Sequence, residues 1–168
     1  MPKPNLSEVP SYYHNYVSLV QEDDLIKALE DQSDIINFLK SIPEEKWNYR
    51  YAENKWSIKE MIQHIIDAER IFCYRALCFA RKDQTPLPSF NENEYARNSK
   101  ADMRSKDDLI GELKAVQQTS LLFFSSLDAE QLANKGVANN NLVSVNAIAY
   151  LLIGHTKHHI NILNDRYL

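Results

Sequence analysis

Apolar positions along this chain recur at helical spacing, and four stretches carry the pattern. Leu25, Leu29, Ile36 and Leu39 form one stripe and predict a first helix over about Asp23–Ser41. A second helix opens at "SIKE", where Ser57 is placed to cap the N-terminus and Glu60 to return the bond, and it runs without Gly or Pro to about Arg81. The third starts near Ser105, with Asp108 making a weaker version of the same box, and ends about Leu127. The fourth spans about Ser144 to Arg166. Pro43 breaks the first connector, "SIPEEKWNYRYAENK". The second, "KDQTPLPSFNENEYARNSKADMR", is long enough to cover something and holds a helical turn at "NENEYA". The third, "DAEQLANKGVANNNLVS", reads as a turn of helix followed by a polar loop. With Pro2, Pro4 and Pro10, residues 1–20 read as an irregular arm. The pattern predicts an all-α fold, a four-helix bundle in which residues 1–168 make one domain. Two long connectors out of three allow crossovers as readily as simple up-and-down order.

Composition narrows the function classes. With 168 residues the chain can bury a real core, and its three glycines are too few for a fold made of many tight turns. A net charge of −4 gives no basic footprint for nucleic acid. No apolar run reaches the ~18–20 residues that span a bilayer, and "MPKPNLSEVP" lacks a signal-peptide core. The expected location is therefore cytoplasmic, with neither nucleic acid nor membrane as partner. Cys73 and Cys78 point in different directions on the second helix, so two free thiols in or near the core are expected. Phe123 and Phe124 are expected in core and interface. Tyr150, Ile153 and Ile160 make the fourth helix apolar almost all round; that predicts burial on both sides and a homodimer.

The chemistry lies in "GHTKHHINIL". At ~100° per residue, His155 sits at the centre of the fourth helix's apolar stripe, His159 lies about 40° from it, and His158 falls on the shoulder. His155 and His159 are thus an inward i, i+4 pair, the spacing by which one helix grips one metal ion. On the second helix His64 lies on an inward-facing flank, about 60° from the stripe through Met61, Ile65, Ala68 and Phe72. If those two helices are neighbours, three imidazoles converge. Hydrogen-bonded core histidines are the plainer alternative, but three uncompensated imidazoles among Leu and Ile would cost on the order of 1–3 kcal/mol each. A shared cation removes that cost. His14 is expected to play no part.

Asp67 stands beside His64 on the wheel and is a candidate to orient its ring, or else a polar flank pairing with Arg70 or Lys59. Glu69 is expected to form a salt bridge inside the bundle rather than to act as a base. Trp47, Tyr49, Tyr51 and Trp56 cluster at the first connector and should cap the core; the alternative is that one of them lines a pocket.

The stretches "NKWSIKEMIQHIIDAERIFCYRAL", "TPLPSFNENEYA" and "GHTKHHINIL", taken together, resemble the DinB/YfiT-like superfamily, in particular its DinB_2 branch. That resemblance covers nearly the whole chain and implies a four-helix bundle with three histidines around one divalent metal. By position these would be His64, His155 and His159, with His158 near the site but not a ligand. Members of the family that this chain resembles include small-thiol S-transferases, thiol-dependent isomerases and metal-dependent hydrolases.

Three neutral imidazoles leave coordination positions open, as in a catalytic rather than a structural site. Zinc is the first expectation for the cofactor; nickel, manganese or iron also bind imidazole. Such an ion can lower the pKa of a bound water to ~7 or hold a thiol as its thiolate. The expected function is a metal-dependent transferase of low-molecular-weight thiols, or a hydrolase, acting on a small-molecule substrate in detoxification or stress response. The competing class is a non-catalytic module that uses the metal to bind a small ligand or a protein.

Overall fold

The computed structural model describes residues 1–168. Its α-helices are α1 (His14–Ser18), α2 (Leu25–Glu30), α3 (Ser33–Ser41), α4 (Ile58–Ala80), α5 (Glu92–Asn98), α6 (Lys106–Ser125), α7 (Ala129–Ala133) and α8 (Val145–Arg166). A hairpin of β1 (Lys135–Ala138) and β2 (Asn141–Ser144) precedes α8. The four long segments form the expected bundle. Helix α4 packs on both α6 and α8, while α2 and α3 close the other side against α6.

The caps lie where the sequence places them. The Ser57 hydroxyl accepts from the Glu60 N–H, and the Glu60 carboxylate accepts from the Ser57 N–H at 2.7 Å, so both halves of the box are present. Ser105 and Ser144 cap α6 and α8 in the same manner. The expected first helix is interrupted between Glu30 and Ser33, where a turn of tighter i→i+3 bonds intervenes. Its apolar stripe skips this point: Gln32 faces the core, 2% exposed, with both side-chain amide atoms unpartnered.

Two segments depart from expectation. The arm is ordered by short 3₁₀ turns and α1, and it packs along α8, burying Val9, Tyr13, Val17 and Val20. This arm covers Tyr150 and Ile153, both fully buried within one chain. On the apolar back of α8, Tyr150 and Ile153 are therefore met by the chain's own N-terminus, while Ile160 is half-buried. The expected polar loop after α7 is the hairpin, closed by Asn139 and Asn140 at φ 50° and 59°. Two consecutive left-handed residues make a type I′ turn, whose twist matches the strands, and asparagine tolerates that conformation. Leu87 of the long connector bonds to this hairpin on both sides, its N–H donating to the Val137 carbonyl at 2.9 Å.

The core falls into two apolar clusters. One unites the arm, α2, the C-terminal half of α4 and the start of α8; the other unites α3, the start of α4, α6 and the end of α8. Buried among these apolar residues are His64, in the second turn of α4, and His155 and His159, in the middle of α8. No helix is long and apolar enough to cross a membrane.

Candidate metal centre

Because α4 and α8 face each other, the histidine from one meets the pair from the other. His155 Nε2 lies 3.1 Å from His64 Nε2 and 3.1 Å from His159 Nε2. One ligand nitrogen from each of the three residues falls within 4.8 Å of the others, and all three side chains are buried. The rings are held by aromatic neighbours: Trp56 lies over His64 with centroids 4.7 Å apart, and Phe72 meets His155 edge-on at 5.5 Å.

This arrangement is costly for the protein alone. Burial lowers the His64 pKa to about 4 and that of His159 to about 3, and pushes His155 well below the usual imidazole value. All three rings are neutral near pH 7, the form that binds metal. Each then has one N–H, and Nδ1 of both His64 and His159 is buried without a partner. If those nitrogens carry the protons, bare Nε2 lone pairs face one another; if they do not, buried acceptors go unused. Either tautomer leaves a cost of order 1–3 kcal/mol per orphaned group. Around an ion ~2.0–2.1 Å from each imidazole, neighbouring nitrogens stand roughly 3.3 Å apart. The two 3.1 Å separations fit that spacing, and the donor set suits a divalent cation.

The other site expectations divide. His158 lies beside the trio, half-buried, its ring edge-on to His159 and Tyr16 at 5.1 and 5.2 Å. Asp67 does not orient His64: its carboxylate accepts from the Gln63 side chain at 2.9 Å, and the His64 Nδ1 it was expected to hold is unpartnered. Gln63 in turn accepts from Arg104, so Asp67 joins a polar network towards α6. His14 bonds the Val9 carbonyl in the arm, apart from the centre. Trp47 is fully buried as a cap, Tyr49 and Tyr51 pack on Tyr167, and Trp56 is the aromatic residue of that connector that reaches the site.

Glu69 forms no salt bridge. It is 1% exposed, its Oε1 accepts from the Ser120 hydroxyl at 2.6 Å, and Oε2 has no partner. Ser120 also contacts the free thiol of half-buried Cys73 at 3.2 Å. Burial lifts the Glu69 carboxyl from 4.5 to about 7. The folded chain therefore keeps a proton that the unfolded chain has lost between about pH 4.5 and 7, and this group's contribution to stability declines as pH rises through that window. Above it, the buried anion costs on the order of 3 kcal/mol at 1.36 kcal/mol per pH unit. In urea titrations, Glu69→Gln should gain roughly that much on wild type between pH 4.5 and 8. The histidines act in the opposite sense but cancel in the difference; a pH-independent difference would contradict the assignment.

A cavity of about 170 Å³ adjoins the three histidines. Tyr13 and Tyr16 of the arm, Phe72 and Arg75 of α4, Phe90 and Glu92 of the long connector, and Asn139 of the hairpin wall it. Thus the arm, the long connector and the hairpin, none of which carries a long helix, converge on the histidines. Sequence reading did not single out Tyr16, Arg75, Phe90 or Glu92. For Arg75 a signal existed, since it stands on the same face of α4 as His64, three turns further along.

Fold and site together define a class: a helical bundle with a three-histidine centre shared between two facing helices. A family model described as the DinB superfamily matches residues 29–163, and the chain belongs to that superfamily. It is 25% identical over 124 residues to a protein of Oceanobacillus iheyensis named "Putative metal-dependent hydrolase OB0413", covering 73% of this chain and 70% of that one. Among solved structures it is similar to YfiT from Bacillus subtilis, titled "a probable metal-dependent hydrolase with an unusual four-helix bundle topology". The TM-score is 0.66 at 12% identity, covering 97% of this chain and 90% of that one.

Proposed function

We propose that this protein is a metal-dependent enzyme that works on a small molecule in the cytoplasm, in detoxification or stress response. His64, His155 and His159 hold one divalent ion, zinc first. The observation that carries this is the convergence of three buried, neutral imidazoles beside a cavity. A bound ion would supply Lewis acidity, lowering the pKa of a coordinated water or keeping a coordinated thiol deprotonated. Phe72, Phe90 and Leu151 give the cavity apolar walls, and Trp56 packs against the His64 ring.

Hydrolysis is supported by the names of the two relatives. Transfer of a low-molecular-weight thiol is supported by the donor set: three imidazoles leave positions open on an ion, and coordination itself removes a thiol's proton.

Zinc-loaded protein assayed with monochlorobimane and a panel of thiols, and separately with p-nitrophenyl acetate, divides the readings. Thiol-dependent bimane conjugation lost in His155→Ala supports transfer, and ester cleavage without thiol supports hydrolysis. No turnover of either kind with the ion bound would sink the enzymatic reading in favour of a binding module.

A further inference from the structure

We infer that the substrate of this cavity is a small organic acid, its carboxylate held by Arg75 while its other end reaches the three histidines; the inference rests on reading those histidines as the reactive end. Arg75 is 6% exposed and lines the same cavity as His64, His155 and His159. It stands on α4 about 16 Å along the axis from His64, at ~1.5 Å per residue, and side chains on a helix lean back towards its N-terminus, here towards His64.

Arg75 has no acidic partner. Arg50, Arg70, Arg97 and Arg104 each meet a carboxylate, whereas the one hydrogen bond of Arg75 runs from Nη2 to the Pro88 carbonyl at 2.7 Å. Its remaining N–H groups bond nothing in the chain, yet none is sealed among the fully enclosed orphan atoms. Arg75 lines the cavity, where free donors of a nearly enclosed side chain find room. A guanidinium stays charged at any ordinary pH, and a buried charge normally has a counter-ion. Burial presses on the cationic form of Arg75, and no carboxylate relieves it. The Pro88 bond explains how the connector is anchored, but not why a residue with five donors does it. A planar fork with free N–H groups beside a cavity is the geometry that receives a planar anion.

The shared chemistry is a carboxylate or a phosphate, and the surroundings favour the first. One guanidinium balances one charge, and the walls from Tyr13, Phe72 and Leu151 suit an organic body.

The test uses full-length, metal-free protein and NMR, following the Arg75 Nε–H resonance, which is assigned by its loss in Arg75→Gln. Phenylacetate should move that resonance and saturate. The neutral 2-phenylethanol should bind at least about tenfold more weakly, the scale of one charge-assisted pair. Phenyl phosphate should bind no more tightly than phenylacetate. Arg75→Gln should weaken phenylacetate by about tenfold or more while zinc stoichiometry stays at the wild-type value. Equal binding of the acid and the alcohol, or a resonance that phenylacetate does not move, overturns the inference. Phenyl phosphate binding far more tightly than phenylacetate overturns the carboxylate assignment. Should Arg75→Gln fail to fold, the comparison of acid with alcohol on wild type still decides. Wild type that binds phenylacetate but no zinc would sink the metal reading and leave this one standing, and zinc binding without phenylacetate binding would do the reverse.

Discussion

Replacing His155 with alanine should lower zinc affinity by about a thousandfold or more. The ring is the shared member of the trio, its Nε2 3.1 Å from both other Nε2 atoms. Zinc sites in small proteins bind with roughly 10–16 kcal/mol. Removing one of three protein ligands takes away on the order of 4 kcal/mol, which is three decades of affinity. The consequence is also thermal. Free zinc at about a thousand times the dissociation constant stabilises a folded protein by ~4 kcal/mol. Wild type should therefore melt well above its metal-free form, and His155→Ala should show no such gain. His158→Ala is the matched control: its ring touches Tyr16 and His159 from outside the trio, so about one ion per chain should remain. A loss of zinc in His158→Ala equal to that in His155→Ala would show that the centre is wrongly drawn.

The second large effect should come from Gly154→Ala. An added Cβ at Gly154 would lie 2.0 Å from the Tyr16 carbonyl oxygen and 2.4 Å from its carbon. These are backbone atoms, so relief requires the arm to move off α8. Alanine gains about 1 kcal/mol of helix propensity over glycine. Against that stand overpacking of ~1–3 kcal/mol and the uncovering of Val9, Tyr13 and Val17, each worth ~1.5–3 kcal/mol when fully buried. The expected net loss is on the order of 3 kcal/mol in urea unfolding, with protease cleavage concentrated in residues 1–20. Tyr16, whose ring lies 5.6 Å from that of His155, would leave the cavity wall with the arm. Gly111→Ala provides the contrast: its Cβ would meet nothing within 4 Å, so α6 should gain up to about 1 kcal/mol. Equal effects from the two substitutions would mean that the contact of the arm with α8 is not tight.

How far the fold could be read from the sequence follows from where a local signal exists. The capping serines and the apolar stripes act within a few residues, and Ser57, Ser105 and Ser144 do cap the helices they precede. The trio was legible because helical phase alone aims His64 and His155/His159 inward, leaving only the adjacency of α4 and α8 to be supplied. Asp67 shows the limit of phase: the wheel places it beside His64, but Gln63 and Arg104, the latter from outside the helix, decide what it bonds. The prolines of the arm hid a stripe through Val9, Tyr13, Val17 and Val20 that only α8 makes useful. The hairpin was missed because its turn is Asn-Asn, a weaker mark of type I′ geometry than Asn-Gly. Arg75 shares a face of α4 with His64, but its isolation from any carboxylate can be seen only in three dimensions.

X-ray absorption at the metal edge of protein purified with zinc tests the central claim most directly. The account predicts about one ion per chain, with three imidazole nitrogens at ~2.0–2.1 Å and at least one further light ligand from solvent. Protein that retains no ion, or a shell dominated by sulfur or carboxylate oxygen, would contradict it.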